Sequence, residues 1–265
     1  MLASALHLAL TGLAIVAAMM FALWLIHLLI RNAGIADTGW ALALAILAMY
    51  YALEGPGYYA RKWAIASMAA FWGLRLGVYL FFSRVAGKPE EGRYLQLRRE
   101  WKTHLPLRFL FFFEFQALLT VVLSLPFLLA SLNPGAPLGK LEKIGGAIWL
   151  VSICGEAIAD YQLNRFRKNP ENRGKTYRRG LWGYSRHPNY FFEWMIWVGY
   201  AVFALGSPWG WFGLISPALM LYFLLGTTGI AATEAQALRT RGLEYRAYQR
   251  TTSTFIPWFR KKEAA

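Results

Sequence analysis

Gly180-Leu-Trp-Gly-Tyr-Ser-Arg-His-Pro-Asn189-Tyr-Phe-Phe-Glu193-Trp-Met-Ile-Trp197 starts as a basic, polar loop and runs into an apolar helix. Gly and Pro set turns in its first half. In its second half Asn189, Glu193 and Trp197 recur at i, i+4 and i+8, on one helical face. A carboxylate inside an apolar helix is costly unless a partner or a polar cavity meets it. That placement marks both a membrane helix and a candidate site.

Working outward, the chain of 265 residues is 57% hydrophobic and 16% charged. Apolar segments long enough to cross a bilayer fall near 5–30, 38–54, 63–83, 107–132, 144–163, 189–206 and 209–230. The expectation is an all-α integral membrane bundle of seven transmembrane helices. It forms one domain over 1–265, with substrate-side helices in about 1–135 and cofactor-binding helices, loop and tail in about 144–265. Leu205-Gly206-Ser-Pro-Trp209 reads as a tight hairpin between spans six and seven. The first span has no Lys or Arg before it and is too long for a signal peptide, so it reads as a retained helix.

The formal charge of +14 is concentrated rather than spread. Of 28 Lys and Arg, 7 lie in 84–108, 8 in 164–188 and 7 in 231–265. Basic clusters flanking apolar spans read as cytoplasmic loops, which excludes a nucleic-acid binder and puts the N-terminus outside. The same clusters attract polyphosphates or acidic headgroups. The single cysteine, Cys154, reads as a small buried hydrophobe, and intrachain disulfides and cysteine metal clusters are excluded. His7 and His27 read as satisfied bundle residues, and no histidine has a second ligand at metal spacing. Asp37-Thr38 is placed to cap the second helix.

Ionisable groups in the apolar segments are few: Glu54, Arg75, Glu114, Glu156, Asp160 and Glu193. Structural ion pairs, such as Arg75 with one of the carboxylates, are the alternative to a site for each. Glu156, Asp160 and Asn164 form a stripe at i, i+4 and i+8 that leads into Arg165-Phe-Arg167-Lys168. With Asn189 and Glu193 on the next span, and Arg186-His187 before them, they describe a cavity open to the cytoplasm. Arginine forks suit phosphate oxygens. Glu234, Tyr245, Arg246 and Tyr248 in the tail are placed to close over its mouth. Walker, Gly-x-Gly-x-x-Gly and HExxH patterns are absent.

The run Gly180 to Glu193 with Trp197, together with Ala159-Asp160 to Arg167-Lys168 and Thr233-Glu234 to Phe255-Ile-Pro257, resembles the steroid 5α-reductase family. A broader similarity reaches the isoprenylcysteine carboxyl methyltransferases, which share an Arg-His-Pro-x-Tyr loop and a late Glu. The first resemblance implies a membrane reductase that binds NADPH and moves hydride to the β-carbon of a lipophilic enone such as a 3-oxo-4-ene steroid. It implies a cofactor site of Arg75, Asp160, Asn164, Arg167, Lys168, Tyr177, Arg178, Tyr184, Arg186, His187, Asn189, Glu193, Trp197, Glu234, Tyr245 and Tyr248. Glu54 matches a glutamate at the substrate carbonyl, where burial against apolar walls keeps a carboxyl neutral. Three positions depart from the family pattern: Leu53 replaces a Gln, Trp72 a Tyr, and Asn164 stands where an Arg occurs. The expected partners are a lipophilic small molecule and membrane lipid, the expected metal is none, and the expected assembly is a monomer in a bacterial inner membrane. An S-adenosylmethionine-dependent methyltransferase, a non-enzymatic lipid-binding protein and a transporter are the alternatives.

Overall fold

The computed structural model describes residues 2–90, 92–226 and 229–261. Within them the chain is helical, with no strand. The helices are α1 (Leu2–Ile30), α2 (Ile35–Glu54), α3 (Tyr59–Leu80), α4 (Arg93–Trp101), α5 (Leu105–Leu123), α6 (Leu125–Ser131), α7 (Lys140–Lys168), α8 (Pro188–Ala204), α9 (Ile215–Leu225) and α10 (Ile230–Thr251). Among the described residues six helical stretches are long and apolar enough to cross a membrane. They are Leu2–Ile30, Ile35–Glu54, Tyr59–Val85, Leu105–Leu123, Lys140–Lys168 and Gly210–Thr251.

The expected seven segments therefore resolve differently. Segment 189–206 becomes α8, of 17 residues. That is roughly 26 Å of helix against a hydrocarbon core of ~30 Å. Segment 107–132 breaks at Ser124, ahead of Pro126, into α5 and α6. Proline cannot continue the hydrogen-bond ladder and clashes with the preceding turn. The last stretch is apolar only through Leu225. Its remainder, α10, carries Glu234, Arg239, Arg241, Glu244, Arg246 and Arg250, and lies beyond the apolar segment.

Two compact units emerge: Met1–Ile144 with Tyr200–Ser216, and Gly145–Gly199 with Pro217–Ala265. In the first, α1 buries one stripe, Leu8, Gly12, Val16, Met20 and His27, and leaves its other apolar faces exposed. A helix with apolar side chains on every face suits lipid. His27 Nδ1 donates to the Trp24 carbonyl at 2.7 Å, and the ring packs on Phe109 and Phe113. It is a satisfied bundle residue, as expected; His7 is instead exposed. α2 and α3 approach through Gly73 and Gly77, spaced like a small-residue helix contact. A Cβ at Gly73 would lie 2.6 Å from the Ala41 carbonyl oxygen and 3.0 Å from the Ala45 Cβ.

At one end of this unit a buried ion pair ties three turns together. Arg61 Nε donates to Glu142 Oε1 at 2.8 Å, with side chains 3% and 2% exposed. Arg61 also donates to the carbonyls of Asn133 (2.9 Å), Gly135 and Pro137. Asn133 Nδ2 reaches the Gly206 carbonyl at 3.1 Å and Ser207 Oγ at 3.2 Å. The α2–α3 turn joins through Gly57 N to the Ser131 carbonyl and Tyr58 N to the Asn133 carbonyl.

At the other end Asp37 is not a cap. The α2 N-cap position is Gly34, without a side-chain cap bond, and Asp37 lies inside the first turn. Its carboxylate accepts from Arg84 at 3.0 Å, from Arg93 and from Tyr94 at 2.8 Å. The helix dipole still favours an acid there, but the arginines take its oxygens.

In the second unit α7 and α8 pack closely at Gly199, where a Cβ would lie 2.9 Å from Trp149 N. Cys154 is exposed on α7, contrary to its expected burial, because that face of the helix carries the exposed Leu150, Val151 and Ile158.

Candidate functional site

The two polar stripes meet within the second unit. Asn189 Nδ2, on the first turn of α8, donates to Asp160 Oδ1 on α7 at 3.2 Å. One turn further along α8, Trp197 Nε1 donates to buried Glu193 Oε1 at 3.0 Å. Along α7 the stripe grades from buried Glu156 through half-buried Asp160 to exposed Asn164. It ends in exposed Arg165, Arg167 and Lys168.

The chain after α7 is shaped by turn chemistry. Asn169 accepts from Glu171 N at 3.0 Å and opens a short 3-10 turn at Pro170–Asn172. Asn172 Nδ2 then returns to the Phe166 carbonyl at 2.8 Å. This fold-back encloses a cleft of about 300 Å³ lined by Leu163, Phe166, Arg167, Asn172, Arg173, Gly174, Lys175, Tyr177, Thr240 and Arg241. Four cations face it and no Asp or Glu lines it among the described residues. Phe166 and Tyr177 supply aromatic surface, with ring centroids 4.9 Å apart. Beside it Thr176 Oγ1 and Arg178 Nε are buried with no hydrogen-bond partner among the described residues. Buried polar atoms without protein partners are rare, and these two suit a polar ligand held beside the cleft.

Of the expected site residues, Arg167 and Tyr177 line this cleft, and Arg173, Lys175 and Arg241 join them. The latter three were legible only as members of basic runs. Arg178 faces the tail: it donates through Nη2 to the Glu244 carbonyl and lies 5.5 Å over the Tyr248 ring. Tyr184 is exposed and lines a separate apolar groove with Leu150, Cys154, Ile158 and Phe192.

Arg186 and His187 are buried. Arg186 Nε donates to Glu234 Oε1 at 2.6 Å, Nη1 to the carbonyls of Gln249 (3.0 Å) and Thr252 (2.6 Å), and Nη2 to Thr254 Oγ1 at 2.8 Å. Its guanidinium is turned to protein acceptors rather than to a cavity. Glu234 is also met by His187 Nε2 at 3.2 Å, Gln249 Nε2 at 2.8 Å and the Tyr245 hydroxyl at 3.4 Å. Burial alone raises this carboxyl. The hydrogen bonds from His187, Arg186 and Gln249, and the Arg186 charge, overcome it and hold the group down at about 2. Tyr248 donates to the carbonyls of Trp182 and Ser185.

Glu54 and Arg75 belong to the first unit. Glu54 ends α2 and is exposed, so the protein walls expected to keep it neutral are not there. Arg75 is half-buried on α3. Gly73 sits beside Ala41 and Ala45, and Gly77 beside Leu42. Arg75 is therefore level with about Leu42, roughly 18 Å along the axis from Glu54. The two side chains cannot hold one group. Among the described residues no cluster of three His, Cys, Asp or Glu could hold a metal.

A family model described as "Protein of unknown function (DUF1295)" matches residues 23–252. A 46-residue stretch is 41% identical to "Probable O-methyltransferase ustE" of Ustilaginoidea virens, covering 17% of this chain and 16% of that protein. No solved structure matches.

Proposed function

The chain belongs to the DUF1295 family, a steroid 5α-reductase-like membrane family, and from that premise we propose that it is a multi-pass membrane reductase using NADPH to saturate the C=C of a lipophilic enone. The cleft with four cations carries this reading. Its donor set of Arg167, Arg173, Lys175 and Arg241, with no acid among the lining residues, suits the phosphates of a dinucleotide. Tyr177 and Phe166 offer faces to an aromatic base. When bound, NADPH supplies the hydride.

The chain's own residues would do the rest. Arg167, Arg173, Lys175 and Arg241 hold the phosphates. Asn189 and Asp160, already bonded to one another, and Glu193, oriented by Trp197, present amide and carboxylate groups to the polar part of the cofactor. Glu54 donates a hydrogen bond to the carbonyl oxygen of the enone, where negative charge grows as the β-carbon accepts hydride.

The 46-residue match raises a second reading, an S-adenosylmethionine-dependent methyltransferase. That cofactor is a sulfonium cation without phosphate, and four cations around one cleft oppose it. Detergent-purified protein should bind NADPH in preference to S-adenosylmethionine, and Arg167→Gln with Arg241→Gln should weaken NADPH at least tenfold. Glu54→Gln should lower kcat and leave NADPH binding unchanged. Binding of S-adenosylmethionine with no response to NADPH would replace the reductase by the methyltransferase.

A further inference from the structure

The cleft has two walls of different origin. One comes from the end of α7 and the loop at 172–177, and the other from Thr240 and Arg241 of α10, more than sixty residues later in the chain. The cation set is therefore complete only while α10 lies on the loop. We infer that Glu234, Arg186, His187 and Gln249 form a clasp that docks the tail and assembles the anion cleft, with Arg186 and His187 as positioning residues rather than cofactor ligands. This deepens the NADPH reading and rests on it for the identity of the anion.

Three observations carry the assignment. None of the four clasp residues lines the cleft. Arg186 uses Nε, Nη1 and Nη2 on four acceptors of the tail, and both Glu234 oxygens are engaged. A second attachment lies next to the cleft wall: Thr176 N donates to Glu244 Oε1 at 2.9 Å, and Arg178 reaches the Glu244 carbonyl. Between the two attachments the helix is bent at Gly242, with φ 52° and ψ −124°. That conformation belongs almost to glycine alone. The bend immediately follows Arg241, so the clasp, the bend and the Glu244 contact together fix where Arg241 points.

The experiment measures two quantities on the full-length protein in detergent: NADPH affinity and the rate of tryptic cleavage in α10, where Arg239, Arg246 and Arg250 are exposed. Glu234→Ala should accelerate cleavage several-fold and weaken NADPH about tenfold or more, a loss of ~1.4 kcal/mol per factor of ten. Glu234→Gln, which keeps an acceptor for Arg186, should fall between Glu234→Ala and the unmodified protein in both. NADPH should slow cleavage of the unmodified chain, because binding and docking are reciprocal. Unchanged cleavage and affinity in Glu234→Ala would overturn the clasp. So would an Arg186→Lys variant that loses NADPH while its tail stays protected, since Arg186 would then be a direct ligand. If the unmodified protein binds no NADPH, the reductase reading fails, and cleavage alone still decides whether the clasp docks the tail.

Discussion

Removing either member of the Arg61–Glu142 pair should destabilise the protein, and the two removals should differ in a defined order. Both side chains are almost fully buried, so each charge has already lost its water. Truncating one partner of such a pair costs ~3–5 kcal/mol, mostly from the charge left behind. Glu142→Leu leaves Arg61 with three backbone carbonyls, of Asn133, Gly135 and Pro137, and should fall near the lower end of that range. Arg61→Met strips those carbonyls of a donor and leaves Glu142 with the Gly139 N–H at 2.8 Å, and should fall near the upper end. The double variant should be less destabilised than the sum of the singles, because no lone charge remains. The assay is thermal unfolding in detergent followed by tryptophan fluorescence. At about 2–4 °C per kcal/mol for a chain of this size, Glu142→Leu should lower Tm by roughly 6–12 °C. The same network holds the turn that follows Glu54, so residual turnover of an enone should fall in both single variants as well. A Glu142→Leu protein melting within ~2 °C of the unmodified one, or additive singles, would refute the reasoning.

Two further outcomes follow from the tail. Gly242→Ala meets open space but cannot easily hold a positive φ with ψ −124°, so it should cost ~1–3 kcal/mol and weaken NADPH without touching the cleft; titration of NADPH into the variant tests this. Glu234 has a folded value of about 2, below the usual 4.5, so its contribution to docking is fully present above about 4.5 and is lost as pH falls toward 2. Tail opening, followed by an environment-sensitive label at Arg250→Cys in a Cys154→Ser background, should therefore increase over that window. Glu234→Gln should open equally at pH 6 and pH 3.

Much of this was written in local pattern. Apolar length gave four of the six membrane helices nearly to their ends, and the i, i+4, i+8 spacing placed Asp160 and Asn189 on the faces that meet. Spacing fails where a long-range partner decides. Asp37 matches a cap pattern, yet two arginines and a tyrosine from 84–94 take its carboxylate. Arg61 and Glu142 are 81 residues apart, and neither stands out inside an apolar run, so the pair was invisible. Cys154 was expected inside because cysteine is commonly buried; in a membrane protein an apolar surface is an equally good place for it. Segment 189–206 counted as a span by composition, while its helix stops at Ala204 after 17 residues.

The chain contains two kinds of arginine that composition cannot separate. Arg186 and Arg61 are buried, and their guanidiniums face carboxylates and carbonyls of the chain itself. Their charge is neutralised internally, so their removal should be felt first as lost stability. Arg167, Arg173, Lys175 and Arg241 gather around a solvent-reached cleft without an acid among its lining residues. Holding four like charges together is unfavourable for folding by itself. Such an arrangement is relieved when an anion enters, and salt should screen both the repulsion and the attraction. Raising ionic strength from 20 to 300 mM should therefore weaken NADPH binding steeply while leaving the melting temperature of the ligand-free protein unchanged or slightly higher. An affinity indifferent to salt would mean that the cleft cations do not hold the phosphates, and the assignment of the cleft would fall with that result.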